Sequence, residues 1–196
     1  MSLSISSDER EFWNRKYREA PGSWNEPDSF LLHAFSQYIR PQYPEGGTAL
    51  DFAGGAGRNA IWLAQQGWNV TLIDISETGV EQARKKAGPL MSNVRFVVDD
   101  LACFRAPLTP FDLVMTFFYL DRQIFPEIIQ AIRPGGLLIY KTLTLEQQKL
   151  EGGPKDPAHL LASGELLQLA KGLHVLHYRE EIAKKATAEL VARRDT

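Results

Sequence analysis

The chain has 196 residues, the length of a single domain, and it can form a core without disulfides or a structural metal. Its net charge of −2 is spread evenly, which argues against nucleic-acid and anionic-membrane binders because these usually carry basic stripes or helices. The only cysteine, Cys103, excludes an intramolecular disulfide and any metal site built from several thiolates.

The N-terminal part of the chain, residues 1–46, predicts a helical cap rich in aromatic side chains. Ser6 and Glu9 have the spacing of a capping box, so a first helix is expected from about Ser6 to Glu19. A second helix is expected to start at Asp28, and Pro41 and Pro44 are expected to stop it. Eight of the twenty aromatic residues lie in the first 43 positions.

Residues 47–144 predict a core of strands that alternate with helices of about ten residues. This alternation is typical of an α/β fold in which a parallel sheet carries helices on both faces. The expected strands are residues 48–52, 69–73, 94–98, 111–117 and 136–143, and the expected helices are 58–66, 77–87 and 122–132.

After Thr144 the alternation stops, and residues 145–164 form a long connection that contains Gly152-Gly153-Pro154 and Asp156-Pro157. A connection this long within a domain is usually functional, so it is a candidate lid. Residues 165–196 predict a closing helix and a β-hairpin with strands at 173–179 and 187–193.

A glycine-rich turn follows the first predicted strand and leads directly into a helix, over residues 49–59. Glycines allow tight turns and a close ligand, and the first amides of a helix favour an anionic group. Two interpretations are open. Residues 55–60 fit the G-x-G-x-x-A fingerprint of dinucleotide-binding proteins. Asp51, however, would repel a pyrophosphate and instead suits the ammonium and sulfonium groups of S-adenosylmethionine.

Two further aspartates favour the second interpretation. Asp74 ends the second strand, where its carboxylate can accept both hydroxyls of a ribose. Asp100 follows the third strand, where it can accept from an adenine amino group. Ligands of such sheets bind beyond the carboxyl ends of the strands, so the sequence places three carboxylates at one ligand-binding edge.

With these motifs the sequence resembles the class I S-adenosylmethionine-dependent methyltransferases, and among them the tellurite-resistance and thiopurine methyltransferase-like group. The family motif D-x-G-x-G-x-G-R-N matches residues 51–59, except that Ala53 replaces the first glycine; alanine is acceptable there if its φ is negative. The resemblance implies a Rossmann-like sheet of seven strands in the order 3-2-1-4-5-7-6, with a reversed C-terminal strand. It also implies S-adenosylmethionine as cofactor, bound by Asp51, Ala53, Gly55, Gly57, Arg58, Asn59, Asp74, Ile75, Asp100, Leu101 and Phe117.

The methyl acceptor is less defined. The segment after the fourth strand lacks the [N/D]-P-P-[Y/F] motif of methyltransferases that act on nucleic-acid or glutamine nitrogens, so a small molecule is expected. Its reacting atom can be sulfur, selenium or tellurium, nitrogen or oxygen. No catalytic residue is identified, and Asp121 is expected to cap a helix. The candidates for the acceptor pocket are Trp13, Tyr17, Trp24, Tyr119 and Lys141.

Two other functions remain open, an NAD(P)-dependent oxidoreductase and a protein that binds S-adenosylmethionine without catalysis. No metal site is expected, because His174 and His177 would point to opposite faces of a regular strand. Cys103 is expected to be buried as a small apolar residue. The sequence shows neither a membrane-spanning run nor a signal peptide, so a soluble, cytoplasmic protein is expected, without nucleic-acid or membrane partners.

Overall fold

The structure is a computed structural model that describes residues 2–20 and 25–196, with side chains from residue 7 onward. The chain consists of two compact units, residues 1–104 and residues 105–196. The first unit contains α1 (Ser2–Glu19), α2 (Ser29–Ala34), a π-helical turn (Phe35–Ile39), α3 (Arg40–Gln42), β1 (Thr48–Phe52), α4 (Arg58–Gln65), β2 (Asn69–Asp74), α5 (Glu77–Ala87) and β3 (Val94–Val98). The second contains β4 (Phe111–Phe117), α6 (Phe125–Gln130), β5 (Ile132–Leu143), α7 (Glu165–Leu169), β6 (Leu173–Ile182) and β7 (Ala186–Arg194).

The strands have the order β3-β2-β1-β4-β5-β7-β6, which confirms the predicted topology. In the first unit β1, β2 and β3 are parallel, and Phe52 lies opposite Ile73. The ends of β1 and β2 therefore coincide, which brings the residues that follow both strands to one edge. In the second unit β4 and β5 are parallel, whereas β7 runs antiparallel to both β5 and β6, as expected for the reversed strand.

The N-terminal helices differ from the prediction at the start of α1 and at Pro41, which does not stop the second helix but lies inside α3. Helix α1 already begins at Ser2, so Ser6 lies inside it and the predicted capping box is wrong. Each added helical residue contributes a hydrogen bond once the helix is nucleated, and this outweighs a local capping preference. Asp28 does cap α2, since its carboxylate accepts from the N–H of Phe30 at 2.9 Å. Among the helices of the described residues, none is long and apolar enough to cross a membrane.

In the second unit, α6 is shorter and β5 longer than predicted. The helix spans only Phe125–Gln130, and the strand already begins at Ile132, opposite Phe111. The Asp121 carboxylate accepts from the N–H of Gln123 at 2.8 Å, but α6 begins only at Phe125. Asp121 therefore caps a turn before the helix, and its predicted role as the N-cap of the helix is wrong.

Two further expectations about local structure are wrong. Cys103 is exposed, because it ends a single 3-10 turn that buries Leu101 instead. A register shift between Val175 and His177 places His174 opposite Arg193, and His177 opposite Val191. Because a bulge adds one residue, the two histidines share a face of β6 rather than pointing to opposite faces. The described residues nevertheless contain no group of three or more His, Cys, Asp or Glu side chains that could hold a metal ion.

Candidate active site

Two buried carboxylates frame the glycine-rich turn between β1 and α4. Asp51 is 1% exposed, and its Oδ2 accepts from the N–H of Ala60, in the first turn of α4, at 3.1 Å. Asp74, the last residue of β2, accepts from the N–H of Gly55 and of Ser76, both at 2.8 Å. The second bond ties the end of β2 to the start of α5, and the first ties it to the glycine turn.

Burial raises the pKa of both carboxyl groups. The pKa of Asp51 rises to about 7, and the N–H of Ala60 and the charge of Arg58 offset burial only in part. The pKa of Asp74 rises to about 6 because burial outweighs its backbone hydrogen bonds. The charge of Asp74 further disfavours ionisation of Asp51, because like charges repel one another. Such a pair is suited to a ligand that brings positive charge and hydroxyl donors.

Ala53 adopts a conformation that the sequence analysis did not expect. Its φ is +61°, in the left-handed region that favours glycine, whereas the alanine was expected to be tolerated through a negative φ. The turn imposes this angle, because the N–H of the next residue, Gly54, must reach the carbonyl of Ile73 at 3.1 Å. Ala53 therefore holds, without a glycine, a backbone angle that glycine favours.

Replacing Ala53 with glycine is expected to stabilise the protein. An alanine in the left-handed region costs about 1–2 kcal/mol of stability, which the glycine variant recovers. Glycine also makes the unfolded chain more flexible, and this reduces the gain by roughly 0.4–1 kcal/mol. The net gain of about 0.5–1 kcal/mol corresponds to a rise of roughly 1–4 °C in Tm, measurable by calorimetry. Ala56→Gly is the matched control, because Ala56 has no positive φ and should lose stability. Equal losses in both variants would contradict the assignment of strain to Ala53.

Arg58 and Asn59, which the family motif assigns to the cofactor site, lie in the first turn of α4 and contact Asp28. Arg58 Nη2 lies 3.4 Å from Asp28 Oδ2, and the Asn59 side chain accepts from the Asp28 N–H at 2.9 Å. Both residues thus fasten the start of α2 to the glycine turn. Gly57 precedes them with a φ of +77° as the N-cap of α4.

The adenine-side prediction falls on the segment after β3. The N–H of Asp99 donates to the carbonyl of Asp74 at 3.1 Å, which holds this segment beside the end of β2. Asp100 is half-buried, and its carboxylate accepts from the N–H of Ala102 at 3.0 Å, while Leu101 is buried. Ile75, which follows Asp74, is buried as well. The role predicted for Asp100 and Leu101 on the adenine side of the cofactor stays a prediction.

The N-terminal candidates divide between described and undescribed residues. Tyr17 lies against the glycine turn, and an ideal Cβ built on Gly55 would be only 2.0 Å from its hydroxyl oxygen. Trp13 is half-buried on the same helix, with its ring centroid 6.2 Å from that of Tyr17. Trp24 lies outside the described residues. Asn14, which the sequence does not single out, is 6% exposed, and its side chain binds the start of α5. A lone asparagine within a helix gives no sequence signal.

The remaining candidates lie in the second unit, at the ends of β4 and β5. Phe117, the last residue of β4, is buried and lies opposite Lys141 on β5. Lys141 is itself buried, with its ammonium 3.0 Å from the carboxylate of Glu189 on β7. Phe118, directly after β4, has a φ of +59°, an unusual angle for a large side chain. Tyr119 is half-buried and its carbonyl accepts from the hydroxyl of Tyr140 at 2.7 Å.

Residues 145–164, the predicted lid, are held by several hydrogen bonds within the second unit. Arg122 forms a bidentate pair with Glu165 at 2.6 and 3.0 Å and donates to the carbonyls of Ala158 and Leu160, both at 2.9 Å. At the other end the buried Gln147 accepts from the N–H of Ala186 at 3.0 Å. The segment is therefore folded onto its own unit, and its role as a lid stays a prediction.

Comparison with known proteins agrees with this geometry. Residues 49–136 match a family described as a methyltransferase domain. The Bacillus subtilis protein YqeM is 28% identical over 126 residues, 58% of this chain and 51% of that protein. The tRNA 5-carboxymethoxyuridine methyltransferase of Escherichia coli is also 28% identical, over 59% of this chain and 44% of the relative. The chain thus spans about half the length of these relatives.

Several solved structures share the fold of this chain at low sequence identity. Magnesium protoporphyrin IX methyltransferase from Synechocystis, with bound S-adenosylhomocysteine, superposes with a TM-score of 0.74 at 17% identity, covering 96% of this chain and 99% of that one. TehB from Haemophilus influenzae superposes with a TM-score of 0.72 at 16% identity, covering 95% and 67%. Residues 49–136 therefore match a methyltransferase domain, and the strand order and the two buried aspartates are consistent with that match.

Proposed function

We propose that this protein transfers the methyl group of S-adenosylmethionine to a small-molecule acceptor by direct in-line displacement. The observation that carries the proposal is the pair of buried carboxylates, Asp51 and Asp74, on the two sides of the glycine turn. Burying two acids this close is costly unless a ligand compensates them. A ligand with an ammonium group, a sulfonium and two ribose hydroxyls offers that compensation.

The residues of the first unit fit such a ligand. Asp74 is suited to accept from the ribose hydroxyls, and Asp51 lies where it can balance the positive charge of the amino-acid end. The backbone of the turn from Ala53 to Gly57 would support the ligand between them, and Asp100 would accept from the adenine. When bound, the cofactor supplies a methyl group that the positive sulfur has already activated.

The protein's own part in the reaction is then positioning and exclusion of water. Holding the acceptor atom in line with the methyl group and the sulfur can supply roughly 7–11 kcal/mol in favourable cases. For this reason no general base is assigned. Tyr119 and Lys141, near the ends of β4 and β5, are proposed as the acceptor-pocket residues of the second unit.

The proposed acceptor is a small molecule rather than a nucleic acid. The net charge of −2 and the sequence Thr-Phe-Phe-Tyr at residues 116–119, in place of [N/D]-P-P-[Y/F], support this class. The resemblance of the sequence to the tellurite-resistance and thiopurine methyltransferase-like group favours a sulfur-like or metalloid acceptor. The Escherichia coli relative, in contrast, is named for methylation of a tRNA nucleoside, so tRNA belongs in any acceptor screen.

The two other functions from the sequence analysis make different predictions about ligands. An NAD(P)-dependent oxidoreductase would have to place a pyrophosphate beside Asp51, a charge repulsion that the turn does not relieve. A protein that binds S-adenosylmethionine without catalysis would have the same cofactor site but would release no S-adenosylhomocysteine. Ligand binding therefore distinguishes the oxidoreductase from the proposed methyltransferase, and release of S-adenosylhomocysteine distinguishes the non-catalytic binding protein from it.

The proposal is tested by thermal unfolding with S-adenosylmethionine, S-adenosylhomocysteine or NADPH. A ligand at ~100 times its Kd adds ~2.7 kcal/mol, or roughly 5–11 °C for a chain of this length. We expect this shift with the first two ligands only, and a shift with NADPH alone would reject the proposal. Release of S-adenosylhomocysteine is then measured with thiols, selenite, tellurite, phenols and unmodified tRNA. Methylation of tRNA alone would overturn the small-molecule part only.

A further inference from the structure

Asp28, the N-cap of α2, is held by the first two residues of α4. Arg58 Nη2 lies 3.4 Å from Asp28 Oδ2, and the side-chain oxygen of Asn59 accepts from the Asp28 N–H at 2.9 Å. The other carboxylate oxygen of Asp28 accepts from the N–H of Phe30 at 2.9 Å. Because Asp28 is only 8% exposed, its ion pair with Arg58 is weakly screened by salt. These contacts fix the position of the Arg58 guanidinium.

The charge of Arg58 also acts on the buried carboxylate of Asp51, whose Oδ2 accepts from the N–H of Ala60 in the same turn of α4 at 3.1 Å. Burial raises the pKa of Asp51 to about 7, and the N–H of Ala60 and the charge of Arg58 offset part of this rise. Two other groups face Asp51. Asp74 on β2 repels its charge, and the phenol of Tyr17 on α1 is kept neutral by a raised pKa, mainly through burial. Among the described residues, the cation that acts on Asp51 is therefore Arg58.

A guanidinium this close to Asp51 is also a competitor for a cationic ligand. Arginine presents five N–H donors and forms bidentate pairs with carboxylates. Such a pair with Asp51 would occupy the acceptor oxygens that an ammonium group needs, and it would place a like charge against that ammonium. Asp28 offers the guanidinium another carboxylate. An Arg58 that is paired with Asp28 can favour the ionised form of Asp51 without covering it.

We propose that Asp28 is a positioning residue of the cofactor site, which holds Arg58 where its charge favours an ionised Asp51 but leaves the Asp51 carboxylate to the ammonium group of the cofactor. The Arg58 side chain then serves the site by its position and charge, whereas the sequence predicts it as a cofactor-binding residue. This inference rests on the proposed function, because it assumes that S-adenosylmethionine binds at Asp51.

The test measures the Kd of S-adenosylhomocysteine by calorimetry between about pH 5.5 and 8.5, in Asp28→Asn, Arg58→Gln and the double variant. Affinity should rise as Asp51 ionises, so the pH of that rise reports the state of Asp51. In Asp28→Asn we expect Arg58 to turn to Asp51. Binding at pH 8 should then be about tenfold weaker. The rise should also move to lower pH, because a carboxyl group paired with a cation ionises more readily.

Arg58→Gln should have the opposite effect on the pH profile. Without the cation Asp51 ionises less readily, so the rise in affinity should move to higher pH. The double variant should behave like Arg58→Gln, since Asp28 acts on the site through Arg58. Asparagine at position 28 can still accept from the N–H of Phe30, and its own N–H can still donate to Asn59, so the cap of α2 should persist.

Glu26→Gln is the matched control, because Glu26 is exposed two residues before Asp28 and the substitution removes the same charge. It should change the Kd less than twofold and leave the pH profile unchanged. If Asp28→Asn weakens binding equally at every pH, or if the double variant binds more weakly than Arg58→Gln, Asp28 only braces α2 and the inference is overturned.

Should Asp28→Asn fail to fold, Arg58→Gln decides alone, and a rise in affinity that stays in place or moves to lower pH overturns the inference. A wild type that binds S-adenosylhomocysteine with no rise in affinity near pH 7 overturns it too, but leaves the proposed function intact. A wild type that binds no S-adenosylhomocysteine at any pH refutes the proposed function itself.

Discussion

Asp74→Asn is expected to weaken binding of S-adenosylhomocysteine by about 100-fold or more. A carboxylate that accepts two ribose hydroxyls makes two charge-assisted hydrogen bonds, each contributing roughly 1.5–3 kcal/mol. An asparagine offers only one acceptor oxygen, and its NH2 group would face the other ribose hydroxyl. One hydrogen bond is therefore lost, and the one that remains is no longer charge-assisted. At about 1.4 kcal/mol per tenfold, the loss exceeds two orders of magnitude in Kd. Titration calorimetry with S-adenosylhomocysteine measures it directly.

The same substitution also touches the turn, because Asp74 accepts from the N–H of Gly55 and Ser76. Far-UV circular dichroism and the unfolding midpoint of the empty variant therefore have to accompany the titration. Asp99→Asn is the matched control, because Asp99 is exposed close by and accepts only from its neighbour Asp100 within the described contacts. Binding within threefold of the wild type by a folded Asp74→Asn protein would disprove the ribose assignment.

The parts of the fold that could be predicted are those in which local pattern and tertiary structure agree. Helix α5 and strands β3 and β4 have the predicted bounds, since capping residues, glycines and apolar runs mark their ends. The three aspartates could be placed at one edge of the sheet for a similar reason. In parallel strands joined by helices, all carboxyl ends meet at that edge, so a residue's place in its strand also defines its place in the site.

The parts that could not be predicted depend on contacts between distant segments. The acceptor-pocket role predicted for Tyr17 rests on the helix face that it shares with Trp13, and it stays a prediction. That face does not reveal that the Tyr17 ring lies against Gly55 and Gly79. Those glycines read equally well as a turn residue and a weak helix former. No pattern within α1 indicates where it docks, and the polar partner that docks it, Asn14, is invisible without α5.

Backbone irregularities are the second kind of feature that could not be predicted from the sequence. The positive φ of Ala53 follows from the bond between Gly54 and Ile73, which depends on how β1 meets β2. The bulge in β6 reverses the side on which His177 lies, and a period-two reading has no means to detect one added residue. Likewise, pairing of Ile132 with Phe111 turns the predicted end of α6 into strand.

Asp51→Asn is expected to stabilise the empty protein at pH 8 while weakening its binding of S-adenosylmethionine. The folded pKa of about 7 lies well above the value near 3.9 of an unfolded aspartate. The folded state therefore binds more protons than the unfolded state between these values. The contribution of Asp51 to the free energy of unfolding is therefore fully present below about pH 4 and is lost as the pH rises through 7. At pH 8 the wild type holds a buried, ionised Asp51, and the loss of stability is on the order of 4 kcal/mol.

Asparagine cannot ionise, yet its side-chain oxygen can still accept from the N–H of Ala60. Calorimetric scans should therefore show a Tm several degrees above the wild type at pH 8 and a much smaller difference at pH 5. The control is Asp99→Asn, which should follow the wild type at both pH values.

Binding should respond in the opposite direction. In the wild type, affinity for S-adenosylmethionine should rise with pH between about 5.5 and 8, as Asp74 with its pKa of about 6 and Asp51 with its pKa of about 7 lose their protons. Asp51→Asn should bind at least about tenfold more weakly at pH 8 and lose the upper part of this pH dependence. A carboxylate that lowers the stability of the empty fold and raises affinity for a cation is retained for the ligand. A variant that was less stable at pH 8 and bound as before would show instead that Asp51 only braces the turn.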